Sequence, residues 1–241
     1  ISIVFLVFVL ALSGCGASLA NRPAVTPTAT PTATPQPGTF YFTTSDGVTL
    51  NGWILGQGKT ALVFSNGKGF SMQLWVTVAQ TMADRGYMSM LYDYRGVGQS
   101  QGTDNPSERE NDLRAAISAA RAHGASKVVL IGSSFGGLLA AKLAVEGHAE
   151  AIVLVSAALE DSGIVLRDKD IQALAMPKLL MASESDTTFA YAIQHIYDTS
   201  PQPKQIALYP GKQHGTTIFG LEHSADSMQR LSTFLDQYAP A

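Results

Sequence analysis

A chain of 241 residues with a formal net charge of −3 at pH 7 and no runs of Lys or Arg lacks the electrostatic footprint of a nucleic-acid surface. Once its N-terminus is set aside, the length suits one domain with a substantial core. The single cysteine, Cys15, excludes an intramolecular disulfide framework, and no Cys/His spacing matches a zinc site.

Residues Ile3 to Leu12 form an unbroken apolar run, too short for an ordinary transmembrane helix and typical of a signal-peptide core. Leu12-Ser13-Gly14-Cys15 follows directly and resembles the bacterial lipobox, in which cleavage falls before the cysteine and its sulfur carries diacylglycerol. Residues 1–14 are then a lipoprotein-type signal peptide. Cys15 becomes the lipid anchor of an exported protein, extracellular or periplasmic; a signal peptide without lipidation, or a hydrophobic end on a cytosolic protein, is the alternative. The chain begins without Met and without a basic n-region, so residues upstream of Ile1 are expected. From Ala20 to Gly38 the chain reads ANRPAVTPTATPTATPQPG, with almost nothing apolar to bury. Residues 15–38 are read as a linker whose proline spacing favours an extended tether, with an unstructured tail as the alternative, and residues 39–241 as the folded domain under either reading.

That domain opens with a hairpin: Phe40 to Thr44, a turn at Asp46-Gly47, then Val48 to Leu55. A buried-type strand, Ala61 to Ser65, leads through a Gly-rich loop to a helix over Gln73 to Arg85. Tyr87 to Tyr92 reads as a strand and Glu108 to His123 as a helix. Next comes KVVLIGSSFGGLLAAKLAVE, from Lys127 to Glu146: a β-branched strand, a turn Gly132-Ser133-Ser134-Phe135-Gly136, and an Ala/Leu-rich helix. The central residue of such a turn is strained, and glycines two positions either side let strand and helix approach closely. Ser134 is that residue. The alternation continues with strands Ala151 to Val155 and Lys178 to Ala182, helix Thr188 to Tyr197, strand Gln205 to Tyr209 and helix Ser224 to Tyr238. A hairpin followed by β and α by turns predicts a mostly parallel eight-stranded sheet with helices on both faces. Sites in such sheets lie beyond the strands' carboxyl ends.

Asp186 and His214 both occupy that position, four residues after Ala182 and five after Tyr209. A serine hydroxyl is a poor nucleophile until an imidazole accepts its proton, and the imidazole needs a carboxylate to fix its tautomer. Ser134, Asp186 and His214 meet that need, with Glu184 or Asp161 as alternative carboxylates. Of five histidines, His123, His148, His195 and His223 fall on predicted helices or their ends, where solvation or capping is the default. Two other patterns fail in context. Gly58-Lys59-Thr60 imitates a phosphate-binding loop, but Trp53 stands where its first glycine is required. Gly96-Val97-Gly98 imitates a dinucleotide fingerprint, but its third glycine is displaced to Gly102 and no helix follows.

From about Phe40 to the C-terminus the chain resembles an α/β-hydrolase. The resemblance is carried by the elbow Gly132 to Gly136, the order Ser, Asp, His, the loop Asn66-Gly67-Lys68-Gly69 and the segment Asp93-Tyr94-Arg95-Gly96-Val97-Gly98-Gln99-Ser100. It implies Ser134 as nucleophile, His214 as base, Asp186 as acid, and the N–H groups of Phe135 and Lys68 as the oxyanion hole. Relatives commonly carry His-Gly where Asn66-Gly67 stands, the side chain bracing the loop, a task open to Asn. Arg95 is expected to hold nearby loops. The implied reaction is hydrolysis of a small-molecule or surface-bound carboxylic ester through an acyl-enzyme, without metal or cofactor. The same triad serves peptides, thioesters and lactones, and an inert binding lipoprotein on this scaffold is the alternative from another class. Only about twenty residues separate the strands ending at Val155 and beginning at Lys178, which predicts an open cleft without a cap domain. Phe70, Trp75, Phe135 and Leu159 are candidates for its walls, with the core as the equal alternative for each.

Metabolic labelling with a fatty acid should mark the wild-type chain in its bacterial host and leave Cys15→Ser unlabelled; equal labelling would remove the anchor.

Overall fold

A computed structural model describes residues 38–241. Cys15, the signal peptide and the tether lie outside the described residues.

The opening hairpin is β1 (Thr39–Thr43) against β2 (Thr49–Leu55), antiparallel in register Phe40 to Gly52. The chain then enters β3 (Thr60–Ser65), every residue of which is buried, as a strand covered on both faces requires. A short 3-10 turn, Met72–Trp75, leads into α1 (Val76–Asp84), followed by β4 (Met88–Tyr92) and α2 (Arg109–Ala122). β5 (Lys127–Ser133) and α3 (Phe135–Val145) flank the elbow, and β6 (Ala151–Val155) follows. A small hairpin comes next, β7 (Glu160–Asp161) with β8 (Ile164–Val165), and then the short helix α4 (Asp168–Gln172). β9 (Lys178–Ser183), α5 (Thr187–Thr199), β10 (Lys204–Tyr209) and α6 (Ser224–Tyr238) complete the domain.

The eight-stranded sheet runs β1-β2-β4-β3-β5-β6-β9-β10. β2 pairs antiparallel with both β1 and β4; every pairing from β4 to β10 is parallel. The expected fold class is therefore the observed one. Strand order decides where a site can form: from β3 the chain moves outward to β4, then crosses back to β5 on the other side of β3. The crevice where the order reverses lies beyond the carboxyl ends of β3 and β5, between Ser65 and Ser133.

Each face of the sheet carries its own core. On one, Leu113 and Ile117 of α2, Leu138 and Leu143 of α3 and Ile193 of α5 pack on Val63, Met90 and Leu130. On the other, Val78 and Met82 of α1 and Leu231 and Phe234 of α6 pack on Leu62, Ile131 and Val153. Nine of the eleven residues of α3 are buried, which explains its lack of an apolar stripe: it is surrounded. β9 opens on Lys178, fully buried, whose Nζ donates to the carbonyls of Pro201 (2.7 Å) and Pro203 (3.2 Å). Burial pushes its ammonium down to about 8.

β7, β8 and α4 have no counterpart in the sequence reading. The strands are two residues each, below the length at which alternation registers, although Ser162-Gly163 carries the left-handed turn of a two-residue hairpin (φ +53 and +81). As expected, no cap domain separates β6 from β9.

The segment after β4 is structural. Buried Arg95 donates through Nε to Asp112 (2.8 Å) and through Nη1 and Nη2 to Asp46 (2.7 and 3.1 Å), tying the hairpin turn to α2. Arg95, and next Thr44, hold the Asp46 carboxyl far below the usual carboxylate range. Because the folded value is the depressed one, this stabilisation is present above the unfolded pKa and is lost as pH falls through the folded one. The difference in unfolding free energy between the wild type and Asp46→Asn should be constant near neutrality and shrink below about pH 4; urea titrations across pH check it, and a gap unchanged into acid would contradict it.

Candidate functional site

The elbow is built by close contact. A Cβ on Gly132 would lie 2.2 Å from the carbonyl oxygen of Gly136, one on Gly136 would lie 2.2 Å from that of Ser65, and one on Gly137 would meet Cβ of Ala157 at 2.6 Å. Only residues without side chains let α3 sit this tightly on β3, β5 and the end of β6. Ser134 takes the strained conformation at the vertex, φ +53 and ψ −120, its amide donating to Val155 O (2.9 Å) while its carbonyl accepts from Gly137 and Leu138. Its side chain makes no cap hydrogen bond to the helix, so an N-cap role is not what places it here. Phe135 is the first residue of α3, where the amide has no intrahelical partner.

Asp186 caps the start of α5, its carbonyl accepting from Phe189 (2.9 Å) and Ala190 (2.8 Å). Its Oδ2 accepts a 2.7 Å hydrogen bond from Nδ1 of His214, in the loop after β10. A carboxylate offers only lone pairs, so the imidazole proton sits on Nδ1 and Nε2 keeps its own lone pair. Three further contacts fix the ring and its loop. Phe189 packs on the imidazole with centroids 4.3 Å apart, Thr217 Oγ1 donates to the His214 carbonyl (2.8 Å), and the Gly215 amide donates to Ser156 Oγ (3.1 Å). Ser156 is itself fully buried and left-handed, φ +48, at the end of β6.

Ser134 and His214 line one cavity of about 280 Å³ with Gly67, Phe70, Leu74 and Thr216. Phe70 and Leu74 form an exposed apolar rim, 52% and 48% accessible. A larger hollow of about 510 Å³ lies at the opposite, N-terminal ends of the strands; His123 is its sole titratable side chain, so it offers no acid–base pair.

Over the elbow runs the loop from Asn66. Buried Asn66 donates from Nδ2 to the Tyr92 carbonyl (2.9 Å), the bracing task expected of it. Tyr94 OH reaches the Asn66 carbonyl (3.2 Å) and Ser65 Oγ (2.6 Å) from below. Burial pushes the Tyr94 phenol up to about 12 and that of Tyr92 well above its ordinary range, so both stay neutral. A Cβ on Gly67 would be 3.5 Å from Cβ of Ser134, so the backbone of this loop passes directly beside the serine.

The structure thus places Ser134 and His214 on one cavity, joins Asp186 to His214 by a hydrogen bond, and passes Gly67, the neighbour of Lys68, beside the serine. Of the two other carboxylates, Glu184 is exposed and Asp161 pairs with Lys68. The expected walls fare unevenly. Phe70 lines the serine cavity, while Leu159 lines a neighbouring one of about 340 Å³ with Phe189 and Tyr191. Trp75 and Phe135 take the core alternative: both are fully buried, Trp75 against Phe64 and Phe219, Phe135 beneath the guanidinium of Arg109. Ser156, Phe189, Leu74 and Thr217 were not singled out from sequence. For Ser156 the position just after an apolar strand was the available signal.

The family model for serine aminopeptidase, S33, matches residues 56–168. The uncharacterized protein YfhR of Escherichia coli K12 is 23% identical over 205 residues, covering 72% of each chain. The polyketide transferase GrgF of Penicillium is 31% identical over 153 residues, 56% of this chain and 50% of its own. Among solved structures, the Pyrococcus furiosus esterase Pf2001 superposes with a TM-score of 0.74 at 18% identity, over 83% of this chain and 89% of that one.

Proposed function

We propose that this chain, which has the α/β-hydrolase fold, is a serine hydrolase of carboxylic esters working through an acyl-enzyme. The observation that carries the reading is the Asp186–His214 hydrogen bond opening onto the cavity that holds the strained Ser134.

In the proposed cycle His214 Nε2 takes the proton of Ser134 as its oxygen attacks the carbonyl carbon, and Asp186 stabilises the imidazolium that forms. The amides of Phe135 and Lys68 donate to the oxyanion, the first aided by the positive end of α3. His214 returns the proton to the departing alcohol. Water, activated by the same imidazole, then attacks the acyl-enzyme and releases the acid. No metal or cofactor enters this chemistry. Esters are favoured over amides because the expelled alkoxide demands less of the general acid than an amine does; the esterase likeness supports the same choice. The small, apolar cavity suits a short acyl chain, and the uncapped cleft leaves room for a large or surface-bound alcohol. We further propose that the enzyme works outside the cytoplasm on a lipid anchor at Cys15, with residues 15–38 as tether; the sequence supports that part of the reading.

Ser134→Ala should abolish p-nitrophenyl ester turnover and fluorophosphonate labelling. Asp186→Asn should keep the fold and lower kcat by about 10³- to 10⁴-fold. Labelling that persists in Ser134→Ala would sink the assignment. A wild type inert to esters, thioesters, lactones and peptides alike would favour a binding lipoprotein.

A further inference from the structure

The loop that passes over Ser134 is pinned firmly at its two ends and weakly between them. At one end Asn66 Nδ2 is bonded to the Tyr92 carbonyl (2.9 Å); at the other, the Met72 amide donates to Oδ1 of buried Asp93 (2.8 Å). Lys68, Gly69 and Phe70, in the middle, are exposed. The turn they form is closed by a long bond from the Phe70 amide to the Gly67 carbonyl (3.3 Å), and a Cβ on Gly69 (φ +80) would touch nothing within 4 Å. Backbone of this kind has little to fix it. Yet an oxyanion donor must hold its position before the charge appears, or reorganisation adds to the barrier.

One side chain supplies a tie. The Lys68 ammonium donates to Oδ1 of Asp161 on the β7–β8 hairpin and to Ser162 Oγ (3.3 Å), and that hydroxyl donates in turn to Asp161 Oδ1 (2.7 Å). Ser162 holds a left-handed conformation (φ +53) that asparagine, aspartate or glycine adopts more readily. Serine there puts its hydroxyl between the two charges. We propose that the β7–β8 hairpin is a clasp for the oxyanion loop, with Asp161 and Ser162 as positioning residues that hold the Lys68 amide over Ser134.

The proposal rests on reading Ser134 as the nucleophile and the Lys68 N–H as an oxyanion donor. Burial of Asp161 works against its charge, but the hydrogen bonds from Lys68 and Ser162 outweigh it and the carboxyl titrates below its ordinary value. The Asp161 carboxylate is therefore charged at neutral pH. The strength of the clasp is bounded by exposure: the Lys68 side chain is 45% accessible and that of Asp161 27%. A pair of this kind shifts a local equilibrium by roughly fivefold, equivalent to about 1 kcal/mol. That is enough to set where a loose turn sits and too little to matter for folding.

The test compares Asp161→Ala, Lys68→Met, their double variant and Lys68→Arg with the wild type. Each of the first two should lower kcat by about three- to tenfold with KM nearly unchanged, and the double variant should lose no more than either. Affinity for a boronic-acid transition-state analogue should fall by the same factor, melting temperature should stay put, and Lys68→Arg should lose less than Lys68→Met. Salt at about 1 M, where screening acts within about 3 Å, should lower the wild type toward Asp161→Ala and leave that variant unaltered. Independently of turnover, backbone order parameters at residues 67–70 should drop in Asp161→Ala. Unchanged order parameters, multiplicative losses in the double variant, or a kcat loss tracking a melting loss would each overturn the clasp. The two readings fail differently: a wild type that neither turns over esters nor labels rejects the Ser134 assignment. An active wild type matched in every parameter by Asp161→Ala rejects the hairpin's role alone.

Discussion

The structure depends on the approach of α3 to the ends of β3 and β5, closer than any residue with a side chain at Gly132 or Gly136 would allow. That contact forces Ser134 into a positive-φ conformation, which for a non-glycine residue costs about 1–3 kcal/mol. The serine side chain does not offset it, since it makes no cap bond to its own helix. The compensation is the apolar packing of α3: Leu138, Leu139 and Leu143 are fully buried, and each such side chain contributes about 1.5–3 kcal/mol on leaving water. The helix is therefore clamped as a whole, and its first turn has no freedom to relax. The strained hydroxyl is one consequence; an unpaired amide at Phe135 is the other.

Left-handed serines recur at the same place. Ser134, Ser156 and Ser162 are the non-glycine residues with positive φ among those described, and they stand at the elbow, under the His214 loop and beside Lys68 respectively. Each replaces a glycine's freedom with a hydroxyl in the turn. Around them the support is polar and buried. Ser65, Tyr94 and Asn66 form one connected patch below the loop, and Arg95 with Asp112 and Asp46 another. Buried charge pairs of the second kind contribute less to stability than an apolar core would. Here they fix the hairpin turn and α2 relative to the end of β4, so the Asp93 carboxylate arrives under Met72.

Much of this was legible in the chain. Eight sheet strands and the long helices appear where apolar runs and periodicity put them, because strands buried on both faces and helices packed on a sheet obey local rules. That His214 would meet Asp186 and share a cavity with Ser134 was legible for a related reason: a parallel sheet delivers every strand to one rim, so residues just past strand ends can be neighbours whatever their separation in sequence. What escaped was decided by side-chain direction or by length. Trp75 and Phe135 sit next to site residues in sequence, but a helical turn swings the adjacent side chain away, and both point into core. The hairpin at 160–165 was too short to register, and with it went the partner of Lys68, 93 residues distant along the chain. No period or motif encodes a contact of that kind.

The short connection between β6 and β9 has a chemical consequence. Lidded sites strengthen their electrostatics by expelling water when they close; an uncapped one must obtain the same strength from donors that are already in position. The Phe135 amide is fixed by a buried helix, so its contribution in the proposed cycle is constant. The proposed second donor, the Lys68 amide, belongs to an exposed turn. Any gain in rate open to such a site through better preorganisation therefore lies on the Lys68 side, where the hairpin that replaces a cap makes its contact. The segment too small to cover the cleft is still long enough to reach its least constrained part.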